Sequence, residues 1–266
     1  MNRIRFIVIA WQALLERDLR AIIKSRSQLY SSFLLPLALL AILGSGVSSG
    51  LEPNSPMIRD GDYVSFLVPG IIAMTALFSS TFSSASYYQD RDSGLLKVLF
   101  STPHSPYVIL SGKSLASVVI GSSQALLVLL IASLIPPVNL GWQYGLGVGV
   151  VLAIIGIVVM NFLLVGFAHL LSTRIRTMAG FHLVMNLVLF PLFFLSGAFF
   201  PLDSVPTWLQ VIGYINPLSY AIDFLHIVIY ADSSVGYYGL YADIPVTVGI
   251  MLFLTFLIVR YRPNRF

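Results

Sequence analysis

Residues 144–171 read YGLGVGVVLAIIGIVVMNFLLVGFAHLL, a run without a single Asp, Glu, Lys or Arg. A bilayer core about 30 Å thick takes roughly 20 mostly apolar residues to cross as a helix. A helix suits that depth because it satisfies every backbone N–H and C=O within its own segment. Working outward from this run, five more stretches carry the same signature: 29–47, 64–87, 107–135 (closed by Pro136 and Pro137), 178–198 and 244–259, the last short unless flanking aromatics extend it. The composition agrees. Hydrophobic residues make up 57% of the 266-residue chain and charged residues 10%, with a mean hydropathy of +0.89, whereas soluble domains carry about 25% charged residues. A nucleic-acid binder would gather its basic residues on one face, but here they lie between apolar runs, so the net charge of +4 points to a membrane and no nucleic-acid partner is expected. The chain has no cysteine, which excludes disulfides, thiolate metal sites and thiol catalysis.

A seventh apolar run, 218–231, is too short to span and contains Asp223 and His226. Preceded by Pro201, Pro206 and Pro217, it reads as a helix that enters the outer leaflet and returns, its backbone buried against protein. Charge supports that reading. With six spans and a cytoplasmic N-terminus, 14 of the 15 basic residues fall inside, from Arg3 to Arg26, then Arg91, Lys97, Lys113, Arg174 and Arg176, then Arg260, Arg262 and Arg265; only Arg59 is outside. Glu52, Asp60, Asp62, Asp203, Asp223, Asp232 and Asp243 sit on the outer side. The positive-inside rule fixes that orientation, and a seventh span would place the basic C-terminus outside. Residues 1–15 resemble a signal peptide at first glance, but Gln12 and Glu16-Arg17-Asp18 interrupt the apolar run and no small-residue cleavage site follows. Ile4, Val8, Trp11, Leu15 and Ile22 recur at helical spacing, so the segment is expected to be an amphipathic helix at the cytoplasmic membrane surface.

Catalytic motifs are sparse. Ser111-Gly112-Lys113-Ser114 ends like a phosphate-binding loop, but Tyr107 stands where that motif requires its first glycine, and the segment opens a membrane helix rather than following a strand. Lys113 reads instead as an anchor that snorkels to the interface. His104, His169, His182 and His226 show no metal-ligand spacing, so neither a metal nor a catalytic residue is expected. The central portions of the first five spans lack the ionisable relays of ion-coupled transport. Asn161 and Asn186 are their clearest polar side chains, either pathway contacts or interhelical hydrogen bonds.

Two segments carry a resemblance. The first runs from Gln89 through Asp90-Arg91-Asp92-Ser93-Gly94-Leu95-Leu96-Lys97 to Thr102-Pro103; the second is Leu195-Ser196-Gly197-Ala198-Phe199-Phe200-Pro201, continuing through Trp208-Leu209 to Asn216-Pro217-Leu218-Ser219-Tyr220. The first is similar to a charged-residue, Gly, Leu, Thr-Pro pattern and the second to Gly-x-x-Phe-Pro followed by Asn-Pro-Leu-[Ser/Thr]-Tyr. Both are found in the permease subunits of type-2 ABC exporters, a group that moves drugs, lipids, glycolipids and polysaccharides outward. His226 departs from the arginine that relatives often carry near that position.

The resemblance implies an all-α integral membrane domain over 1–266. It would have six transmembrane helices, an interfacial helix over 1–28, a coupling-helix loop over 89–106 and a re-entrant outer hairpin over 199–231, between spans five and six. It implies that Asp90, Arg91, Asp92, Gly94, Leu95, Lys97, Thr102 and Pro103 meet an ATPase, and that Phe199, Phe200, Pro201, Asn216, Pro217 and Tyr220 form an outer gate. Partners would be two ABC ATPase chains carrying ATP and Mg, a second permease chain (identical or a close homologue) and membrane lipids; no cofactor is expected on this chain. The site of action would be a prokaryotic inner membrane, the cargo a lipophilic drug, a lipid or a glycoconjugate. A self-sufficient channel or secondary transporter would show intramembrane charges or inverted repeats, neither of which is found. A non-transporting anchor for an ATPase is a further alternative.

Overall fold

The computed structural model describes residues 3–48, 63–102, 105–136, 138–175, 177–229, 239 and 243–249. Among these every regular element is helical: α1 Arg3–Lys24, α2 Arg26–Ser48, α3 Tyr63–Asp92, α4 Leu95–Phe100, α5 Pro106–Ser133, α6 Leu146–Arg174, α7 Met178–Phe194, α8 Thr207–Ile215 and α9 Pro217–Ile229, with a 3-10 turn at Leu202–Ser204. Three helices are long and apolar enough to cross a membrane, namely α3, α5 and α6, and a fourth crossing is reached if the bent pair α8–α9 counts as one. The apolar parts of α2 and α7, Ser32–Gly46 and Met178–Phe194, are shorter. Of the sixth predicted span only 244–249 falls within the described residues, and it is helical. Arg59, Pro103, His104 and Arg176 lie outside them.

Local chemistry sets the breaks. Ser25 separates α1 from α2, its N–H donating to the carbonyls of Ala21 and Ile22. α3 ends where Gly94 takes φ 77°, a left-handed backbone that glycine adopts without a Cβ clash. Pro106 opens α5 at the first helical position, where its missing N–H costs nothing. Thr177 caps α7 by accepting from the N–H of Gly180 at 3.1 Å. That helix stops at Phe194 rather than reaching 198, because Leu195 and Ser196 close it with turn bonds and Gly197 leaves with φ 82°.

α3 is the central helix. In its most apolar window 94% of residues are buried, against 61% in α5 and 50% in α6, and it packs against α2, α5, α6, α7 and α9. At 1.5 Å per residue its 30 residues span about 45 Å, longer than a bilayer core. α5 and α6 are half-covered, leaving Leu127, Leu130, Val151 and Ile155 facing outward, as lipid contact requires. α1 lies against α5, where a Cβ at Gly112 would meet Leu14 and Trp11, and the Trp11 Nε1–H donates to the Val108 carbonyl at 3.2 Å.

At the other end of α3 the backbone of Gly70 touches Ala198 so closely that an added Cβ would run into the Ala198 carbonyl oxygen. A backbone obstacle cannot swing aside, so Gly70→Ala is expected to destabilise the fold by about 1–3 kcal/mol. Gly46→Ala, whose added Cβ meets nothing within 4 Å, serves as the control. Thermal unfolding of the purified variants checks both; an unchanged midpoint for Gly70→Ala would contradict the packing.

Candidate functional site

The charges that the sequence scatters along three helices meet in one place. Arg17 and Asp18 on α1, Asp90 on α3 and Lys113 on α5 form a closed cluster. Arg17 Nη2 donates to Asp18 Oδ1 at 2.5 Å and to Asp90 Oδ2 at 2.8 Å, and Arg17 Nε donates to Asp18 Oδ1 at 2.8 Å. Lys113 Nζ donates to Asp90 Oδ2 and lies 3.8 Å from Asp18 Oδ2. Two cations and two carboxylates sum to zero, the condition under which charges can be held out of water. Burial works against the Arg17 charge, but Asp18 and then Asp90 more than offset it and hold the guanidinium above its ordinary pKa.

This corrects one expectation. Lys113 does not snorkel, being only 1% exposed and committed to Asp90. Asp90 is turned into the bundle, because α3 continues to Asp92 and carries Asp90, Arg91 and Asp92 in its last turn. Sequence reading missed Arg17 and Asp18 as members of the site, although Glu16-Arg17-Asp18 interrupting an otherwise apolar face was the available signal.

Beyond Gly94 the chain turns into α4. Leu96 is its buried anchor at 2% exposure; Leu95, Leu99 and Phe100 are half-buried, while Lys97, Val98 and Ser101 face outward. Ser101 and Thr102 bond back to the carbonyls of Val98 and Leu99 at 2.7 and 2.6 Å, which tightens the exit. Arg91 lies over the Tyr88 ring at 5.1 Å, and the Tyr88 hydroxyl reaches the carbonyls of Ser172 and Ile175, both at 3.1 Å. That bond ties the end of α3 to the end of α6. The result is a short projection on a base to which α1, α3, α5 and α6 contribute.

The second set of predicted residues gathers at the opposite end of α3. The Tyr63 hydroxyl donates to the Phe199 carbonyl at 3.0 Å. The Phe199 ring stands 5.3 Å from both Phe193 and Phe194, and Phe200 and Pro201 follow half-buried. α8 and α9 meet at 93°. Asn216 sits at that corner: its Oδ1 accepts from the Leu218 N–H at 3.0 Å, capping α9, and its Nδ2 donates to the Leu192 carbonyl at 2.6 Å. Pro217 opens α9, and the Tyr220 hydroxyl donates to the Tyr214 carbonyl at 2.8 Å across the corner. His226 is buried, stacked on Phe66 at 4.6 Å, with Nε2 3.0 Å from the Phe66 carbonyl. Since a carbonyl only accepts, Nε2 carries the proton.

Asn161 and Asn186 are not brought to one surface. Asn161 is fully buried with Nδ2 on the Ile157 carbonyl at 2.9 Å, its Oδ1 facing Gly121, whereas Asn186 is exposed on α7. No group of three or more His, Cys, Asp or Glu able to hold a metal ion exists among the described residues.

Removing one charge from the cluster leaves another buried without compensation. Lys113→Met is therefore expected to cost about 3–5 kcal/mol, and the double variant Lys113→Met with Asp90→Asn, which restores neutrality against Arg17 and Asp18, to cost distinctly less than the sum of its parts. Thermal unfolding of the two singles and the double closes this cycle; additive losses would show that the charges do not interact.

Comparison with known proteins places the chain. The family model described as ABC-2 type transporter matches residues 9–230. A protein of Escherichia coli named as a multidrug ABC transporter permease, YbhR, is 29% identical over 176 residues, covering 65% of this chain and 46% of that protein. One of Cyanophora paradoxa named as a transport permease, ycf38, is 34% identical over 203 residues, covering 73% of this chain and 65% of the relative. Nodulation protein J of Rhizobium leguminosarum bv. viciae is 25% identical over 199 residues, covering 71% and 74%. The matched region thus spans about half of the first of these relatives.

Proposed function

The chain belongs to the ABC-2 type transporter family, and from that premise we propose that it is the transmembrane subunit of an ATP-driven exporter whose ATP hydrolysis takes place on a separate ATPase. In this reading two permease chains, identical or closely homologous, pair with two ATPase chains that carry ATP and Mg. The permease pair forms the path for a lipophilic drug, a lipid or a glycoconjugate; the word multidrug in the name of one relative favours the first. Six spans are formed by α2, α3, α5, α6, α7 and the segment beginning at 244. α1 lies at the cytoplasmic surface of an inner membrane, and α8–α9 form a hairpin that enters the outer leaflet and returns. The distribution of basic residues supports this orientation.

The observation that carries the proposal is the continuity of α3. One end holds the Phe199 carbonyl through Tyr63 and the other holds Asp90 in the ion cluster beside α4. Closure of the ATPase pair on bound ATP pushes on the outward face of α4, at Lys97, Val98 and Ser101. Leu96 and Gly94 pass that push to α3, while Asp90 joins α1 and α5 to the same movement. The far end of α3 then carries the Phe199–Phe200–Pro201 segment and the Asn216–Pro217 corner, with Tyr220, as an exit gate. Asp92, Leu95, Thr102 and Pro103 complete the coupling segment, and Arg91 braces it on Tyr88.

Lys97 and Val98 are exposed, so replacing them should leave the chain's stability within about 0.5 kcal/mol. A docking anchor, by contrast, costs about 2 kcal/mol or more of binding when lost. The pair Lys97→Glu with Val98→Asp, in a tagged chain purified from its native membrane, is expected to lose its co-purifying ABC ATPase or to retain an ATPase that substrate no longer stimulates. Unchanged recovery and unchanged stimulation would overturn the assignment of α4 as the coupling element.

A further inference from the structure

Asp18, whose Oδ1 meets Arg17 and whose Oδ2 faces Lys113, also lines a cavity of about 160 Å³ between α1, α3 and α5, walled by Ser83, Ser86, Gln89 and Ser117 and backed by Phe82. A smaller hollow of about 10 Å³ shares Ser83 and Phe82 with it and is closed by Gln124. Two side chains in these walls are buried with a polar atom that has no hydrogen-bond partner: Ser83, 5% exposed, at Oγ, and Gln124, 6% exposed, at Oε1. Buried polar groups in folded proteins almost always find partners. These walls are built for a polar occupant.

Charge and hydrogen-bond direction define its class. The four charges beside the cavity cancel. A cationic head group would approach Asp18 with Arg17 and Lys113 directly behind it, and an anionic one would meet the Asp18 carboxylate first. Arg17 Nη1 is buried without a hydrogen-bond partner, but Arg17 does not line the cavity, whose one charged lining residue, Asp18, is already paired with Arg17 and Lys113. The Ser86 and Ser117 hydroxyls donate to the Ser83 and Lys113 carbonyls at 2.7 and 2.9 Å, so what they offer inward is lone pairs, as does Asp18. A wall rich in acceptors and neutral overall matches an uncharged group bearing several O–H donors. A cavity of about 150 Å³ holds a benzene ring, so about 160 Å³ is on the scale of a glycerol unit or one sugar ring, and the Phe82 ring offers an apolar surface to the carbon side of such a group.

We propose that the α1–α3–α5 cavity binds the uncharged, hydroxyl-bearing head group of an amphiphile, with Ser83, Ser86, Ser117 and Asp18 as its polar contacts. As a step toward export this rests on the exporter reading above, whereas binding itself requires no ATPase. The absence of native cysteines allows a direct test. Ser83→Cys and, separately, Ser117→Cys are introduced into the full chain in phosphatidylcholine nanodiscs, with Ser93→Cys as an exposed control. Their rates of reaction with N-ethylmaleimide are then measured with n-octyl-β-D-glucoside, octyltrimethylammonium or octyl sulfate, each below its micellar concentration. The expected result is that both cavity thiols react and that the glucoside slows them severalfold and saturably, without affecting the Ser93 variant, while the charged amphiphiles do not. Cavity thiols that never react in a folded chain, equal protection by all three probes, protection by a charged probe alone, or no protection at all would each overturn the proposal. An export assay that fails while glucoside protection persists strikes the exporter reading and supports the site.

Discussion

A lysine ammonium at 1% exposure, beside segments that cross a membrane, can exist only if its charge is answered within reach. The Lys113–Asp90 pair therefore constrains everything around it. Asp90 must turn into the bundle, which requires α3 to run past it to Asp92, and Arg17 must come from α1 to share the carboxylate, with Asp18 closing the neutral set. An amphipathic helix that could have lain loosely on the surface is thereby bound to two membrane helices. Buried ion pairs contribute little net stability compared with apolar packing, but breaking one is costly. Their effect here is to specify which helices share one body.

That body has α3 as its axis. Small residues make its contacts close: Gly70 leaves room for the Ala198 carbonyl near one end, while Gly121 of α5 leaves room for Asn161 of α6 beside Ser79. Tyrosines fasten the ends, Tyr63 to Phe199 and Tyr88 to the last turn of α6. A helix held at both ends and buried along its length has few ways to respond to a push except as a unit. In the proposed coupling, a push on α4 would therefore reach the Phe199 segment without a chain of separate side-chain switches.

Much of this was legible in the sequence. Length and lack of charge fix α3, α5 and α6, because 20-residue apolar runs have few other solutions. The α4 segment and the α8–α9 corner are readable because Gly94, Asn216 and Pro217 act through local backbone chemistry. The ion cluster was not legible. Its members stand 73 and 23 residues from Asp90, and a charge near a span end reads equally well as a snorkelling anchor or an exposed face until the partner helix is placed. His226 was opaque for the same reason: what satisfies it is the Phe66 carbonyl, 160 residues away. Asn161 and Asn186 look alike in sequence, yet one is enclosed and the other faces outward, since the helix face turned to neighbours is set by packing.

In the proposed coupling, α1 moves as one body with the junction of α3 and α4. Spin labels on cysteines at Gln12 of α1 and Ser93 at that junction, both exposed and neither on the proposed docking face, in the otherwise cysteine-free chain bound to the proposed ATPase, report the distance across the cluster with and without trapped ATP. This distance is expected to stay constant through the nucleotide cycle while the distance between the Ser93 labels of two permease chains changes. A shift of several ångströms between Gln12 and Ser93 would show that α1 moves independently of α3 and α4, and would contradict the coupling.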